Sequence, residues 1–244
     1  MEKSIITHRL DLVISLIDTT TGLSISERNV NFSSDGKAIP FVYKGGGTYI
    51  LMDTQRKNVT YDITAEGFES SKVVVEYDES VSKAPEYFVM LIPKATRYTY
   101  SKLLTLEGTC SGITEIDAVI TGSHDRLFQN YVPRGNVMNF FGGGELTERE
   151  YALVLEKEDR FISVDIRKKI EKFSVALKNP IEENVPVGSP VQRIVKGKVL
   201  SDGRYLLRVR DDGQNVTYLV RYVVDGNVKF KKIDFKNDEE RILE

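Results

Sequence analysis

Apolar and polar residues alternate with a period of two along much of the chain, and the first clear case is LDLVISLI at residues 10–17. Leu10, Leu12, Ile14 and Leu16 occupy even positions, so an extended backbone sets them on one face of a strand. The polar run at 18–22 then reads as a turn. Val30 and Phe32 repeat the signal, and residues 41–43, 48–51, 61–64, 73–77 and 87–92 are rich in aromatic and β-branched types. Spaced by Gly, Asp, Asn and Ser clusters, these segments predict a seven-stranded antiparallel sandwich.

The glycines Gly45, Gly46 and Gly47 inside FVYKGGGTYILMD pose a question of chemistry. A phosphate-cradling loop needs backbone N–H groups at a helix N-terminus, with a lysine after the glycines. Here Lys44 precedes them and the strand-like Thr48-Tyr49-Ile50-Leu51 follows, so the run reads as a hairpin turn or bulge.

Pro93-Lys94-Ala95-Thr96 marks a first boundary. Beyond it, residues 103–106, 115–121, 136–141, 151–156, 161–166 and 172–177 read as strands, and Thr147 offers a local helix cap. NPIEENVPVGSP cannot be one regular element, because its prolines remove backbone donors. It is the candidate second boundary or a crossing connection. Residues 192–199, 204–209, 217–224 and 228–235 then alternate again, joined by Ser-Asp-Gly, Asp-Asp-Gly and Asp-Gly-Asn hairpin chemistry. The expected organisation is all-β: a sandwich over 1–95, a β-rich middle domain over 96–180, and a small barrel or sheet over 181–244. The pattern leaves open whether 96–244 is one domain with an insertion or two.

Gly47-Thr48-Tyr49 at a strand start, Glu66-Gly67-Phe68 at a strand end and the closing Phe88-Val89-Met90-Leu91-Ile92-Pro93 carry a resemblance. Residues 8–95 are similar to the carboxypeptidase-regulatory-like, transthyretin-like (prealbumin-like) β-sandwich. The resemblance implies a binding or spacing module, and it extends to accessory modules of phage-tail-like and contractile injection particles. The chain departs from that family's usual extracellular setting, since MEKSIITHRLDLVISLID does not read as a signal peptide. Synthesis in the cytoplasm is the expectation.

Composition narrows the classes. A net charge of −2 gives no reason to expect nucleic acid, and no apolar run is long enough for a membrane-spanning helix. Cys110 is the only cysteine, so no intrachain disulfide can form. Cys110 in GTCSG and His124-Asp125 in GSHDR invite a nucleophile–base–carboxylate set, but neighbouring strand residues point to opposite faces, which places Asp125 poorly to orient His124. His8, His124 and Cys110 lack zinc-ligand spacing, and the acidic turns at 211–215 and 225–227 do not follow a calcium-loop pattern. No metal, cofactor or catalytic residue is assigned.

A second glycine run, Gly142, Gly143 and Gly144, follows Phe140 and Phe141. It reads either as a strand exit with a phenylalanine in the core or as a loop presenting aromatic contacts to another protein. The expected function is a non-enzymatic structural or interaction subunit of a large assembly, with other protein subunits as partners. A surface carbohydrate-binding or adhesion protein is the alternative.

Overall fold

The structure, a computed structural model, describes residues 7–26, 29–77, 82–97, 103–121, 125–141, 146, 150–211 and 217–235. These residues are all-β, arranged as several small sheets, and they divide into the units Met1–Thr99 and Tyr100–Glu244.

In the first unit the strands are β1 (Leu10–Asp18), β2 (Val30–Ser34), β3 (Lys37–Ile39), β4 (Val42–Gly45), β5 (Thr48–Met52), β6 (Val59–Ala65), β7 (Ser71–Val75) and β8 (Glu86–Leu91). They form two sheets, ordered β4-β5-β1-β8 and β3-β2-β6-β7. Leu12, Ile14 and Leu16 from the first sheet join Phe32, Ile63 and Val75 from the second in one buried cluster. The short β3 is additional to the segments read from the pattern. The pairing also differs from the antiparallel expectation, because β8 runs parallel to β1 from Val13↔Glu86 to Asp18↔Leu91. The preceding strand β7 lies in the other sheet, so β8 is reached by a crossing rather than a hairpin, which removes the antiparallel constraint.

The even-position rule on β1 holds for Leu12, Ile14 and Leu16, all 0% exposed, but not for Leu10. A β-bulge between Leu10 and Leu12 shifts the register, leaving Leu10 exposed and turning Asp11 inward. The buried Asp11 carboxylate accepts from Arg9 Nε at 2.6 Å, Arg56 Nε at 3.2 Å and the Thr54 backbone N–H at 2.7 Å. Burial raises its pKa, but these donors outweigh that effect and hold it below the ordinary value.

The run Gly45-Gly46-Gly47 is the β4–β5 hairpin turn, with φ of 97°, 56° and 74°. Gly47 has a second reason to be glycine, since a Cβ there would lie 2.9 Å from the Leu16 carbonyl oxygen.

The second unit contains β9 (Leu103–Thr109), β10 (Ile113–Ile120), β11 (Arg126–Leu127), β12 (Val137–Phe141), β13 (Glu150–Leu155), β14 (Arg160–Glu171) and β15 (Ser174–Leu177). It continues with β16 (Val191–Arg193), β17 (Val195–Lys196), β18 (Lys198–Val199), β19 (Arg204–Arg210), β20 (Thr217–Val224) and β21 (Asn227–Asp234). Its sheets are ordered β17-β10-β20-β21, β18-β19-β9 and β11-β12-β15-β14-β13-β16. The division expected at residue 180 falls inside this unit. Strand β9 pairs with β19, and β10 pairs with β20 from Ile113↔Val224 to Ile120↔Tyr218, so strands from both sides of residue 180 share sheets. The C-terminal strands therefore do not make a separate sheet of their own. The six-stranded sheet is built from the sequence between those partners.

The proline-rich connection at 178–190 is irregular, as its sequence requires, yet it is anchored. Ile181 and Val185 are buried, the Ile181 N–H donates to the Tyr131 hydroxyl at 2.9 Å, and the Tyr131 N–H donates to the Val185 carbonyl at 2.8 Å.

Candidate interaction surface

Strand β12 separates the two phenylalanines by its own pleat. Met138 and Phe140 face inward, each 2% exposed, and pack with Leu127, Val175 and Leu177. Val137 and Phe141 occupy the alternate positions and are 45% and 51% exposed. The expectation of Phe140 as a contact residue is thus corrected: it is core, and Phe141 alone of the pair reaches solvent. Gly142, Gly143 and Gly144 lie outside the described residues.

Phe141 has an aromatic neighbour that the pattern did not single out. Phe128, just past β11 and 53% exposed, meets it edge-on with ring centroids 4.7 Å apart and an interplanar angle of 65°. The Phe128 backbone N–H donates to the Asn139 carbonyl at 2.8 Å, which continues the β11–β12 ladder by one residue and fixes that ring beside its partner. Asn139 is held in turn by the Ser174 hydroxyl on β15. A shallow depression of about 140 Å³ borders the same strand, lined in part by Val137, Asn139 and Val132. Val132 is itself 68% exposed. Alternation along residues 127–128 was the available signal for Phe128, but two residues are too few to establish a period.

The other sequence candidates do not gather around this surface. Cys110 is a half-buried free thiol at the end of β9, packed beside the cluster containing Leu106 and Tyr205. His124 lies outside the described residues, and the Asp125 carbonyl accepts from the Val191 N–H at 2.8 Å. His8 is in the first unit, with Nδ1 2.5 Å from Asp53. The Asp225-Gly226 turn joins β20 to β21 with φ of 49° and 76°, which matches its hairpin reading. Residues 212–215 lie outside the description. Among the described residues, no group of three or more His, Cys, Asp or Glu side chains converges as a metal site.

Elsewhere in the second unit Asp117 is buried, placed by register directly between Lys196 on β17 and Arg221 on β20. Lys196 Nζ lies 3.3 Å from Asp117 and 2.9 Å from Glu150, and Arg221 also reaches Glu115 at 2.9 Å. Burial pushes the Asp117 carboxyl up, and the two cations reverse this only in part. Each cation has a second carboxylate, so the cluster is an electrostatic cross-tie between strands.

No protein-family model matches the chain, and no curated protein matches its sequence. Among the described residues no helix is long and apolar enough to cross a membrane, which says nothing about crossing by strands.

Proposed function

We propose that this protein is a non-enzymatic structural subunit of a larger protein assembly, of the phage-tail-like or contractile-injection kind. In this reading its first unit is a transthyretin-like sandwich, with the short β3 added to the seven expected strands. The exposed Phe128–Phe141 pair carries the functional proposal. Two phenylalanines held edge to edge by a strand ladder are ordered before binding, so docking a partner on them loses little side-chain entropy. Each ring is already about half buried, so covering the rest contributes about 1 kcal/mol per ring, and the two side by side anchor an interface between subunits. The occupant is another protein subunit of the same assembly.

The test is size-resolved recovery of the native protein from its own cells. Wild-type chain is expected in a high-mass complex, and the double variant Phe128→Ser/Phe141→Ser as free chain that remains folded. Recovery of the wild type as an inert monomer would sink the proposal.

A further inference from the structure

The connection from β5 to β6 is tied down more firmly than an exposed loop requires. Asp53 holds φ at 55°, and its N–H donates to the Arg9 carbonyl at 3.0 Å. Thr54 and Arg56 turn inward to the buried Asp11, and Arg56 Nη2 also donates to the Leu10 carbonyl at 3.1 Å. At the far end Asn58 Oδ1 accepts from the Tyr77 N–H at 2.9 Å. Gln55 and Lys57, between these anchors, remain exposed.

This loop borders a cleft of about 700 Å³ in the first unit. Leu51 of one sheet and Ile39 and Tyr61 of the other line it, so it opens between the two sheets. Its volume falls within the roughly 300–1,000 Å³ range of ligand clefts. The polar lining includes Ser34, Lys37, Gln55, Lys57, Asn58 and Thr60. Asp35 is the one carboxylate among the lining residues, which leaves the cleft locally positive on a chain whose net charge is −2.

These groups define the ligand. Two lysines call for anionic groups, while amides and hydroxyls both donate and accept, as a polyol demands. Tyr61 is only 5% exposed, so the cleft offers little of that ring for base stacking, which disfavours a nucleic acid. Ile39, Val59 and Val74 add apolar lining beside these polar groups, which the C–H faces of sugar rings can cover. We infer that this cleft binds an acidic oligosaccharide of the uronate type. Its carboxylates pair with Lys37 and Lys57, and its hydroxyls are met by Gln55, Asn58, Ser34 and Thr60. The Asp11 anchor orders the loop in advance, lowering the entropy lost on binding. This inference does not depend on the assembly proposal.

The full chain is titrated with oligogalacturonate and, separately, with a neutral cello-oligosaccharide, using calorimetry and amide chemical shifts. Saturable binding of the acidic probe is expected, with shifts concentrated at residues 34–39 and 54–60. Lys37→Glu/Lys57→Glu should weaken it at least tenfold while leaving the melting temperature unchanged. Absence of saturable binding, equal affinity for the neutral probe, or full affinity in the double variant would each overturn the inference. None of these readouts involves Phe128 or Phe141, so failure here is distinguishable from failure of the assembly proposal.

Discussion

At the scale of single residues, two buried groups in the first unit make opposite predictions about pH. Asp11 has a folded pKa below its ordinary 3.8, so its stabilisation is present above that value and is lost as pH falls through the folded pKa. Asp11→Ala removes the acceptor for Thr54, Arg9 and Arg56 and should cost about 1–3 kcal/mol at neutral pH, read by denaturant unfolding. The deficit should shrink in acid; a deficit independent of pH would refute the assignment. Tyr77 lies on the alkaline side. Burial first, and then the neighbouring Tyr61 and Asp11, push its phenol up to about 12 from 10.0. Between those values the folded chain keeps a proton that the unfolded chain has lost, so stability declines as pH rises across the window. The Tyr77 hydroxyl is buried with no hydrogen-bond partner among the described residues. Tyr77→Phe should therefore cost little at neutral pH and flatten the alkaline decline, measurable as melting temperature against pH.

At the scale of elements, the β4–β5 turn separates backbone strain from crowding. Gly46 has φ of 56° with nothing within 4 Å of an added Cβ, whereas Gly47 has φ of 74° and would press on the Leu16 and Ile25 backbones. Gly46→Ala should cost about 1–2 kcal/mol, the left-handed penalty alone. Gly47→Ala should cost clearly more, because β1 must also shift, and equal losses in chemical denaturation would contradict this account. The same hairpin shows what sequence made legible: strand, turn and strand follow from local alternation and glycine tolerance. The bulge that exposes Leu10 and buries Asp11 left no such mark, since it arises from pairing with β5. Nor could residue type alone decide between Phe140 and Phe141. The pleat gives them opposite faces, but which face is core depends on Met138, Leu127 and Val175 arriving from other positions.

At the scale of the whole molecule, the pairings that matter join strands far apart in sequence. Hairpins such as β20–β21 announce themselves through Asp225-Gly226, but nothing local tells β9 that its partner is β19, or β10 that its partner is β20. Prolines interrupt the alternating pattern near residue 180, yet Ile181 and Val185 beside those prolines are buried. The cores explain why cutting at that point should fail. Leu106, Ile116 and Ala118 lie in the same buried cluster as Leu207, Val220 and Ile233. A fragment of residues 181–244 would lose every one of the first group and expose the unpaired edges of β19 and β20. Residues 100–244 keep both halves of that cluster and all three sheets. The longer fragment should unfold cooperatively on heating and protect the amides of β10 and β20 together from hydrogen exchange. The shorter should aggregate or give the circular dichroism of an unfolded chain. Cooperative folding of 181–244 alone would mean that the β9–β19 and β10–β20 ladders are not what holds this unit together.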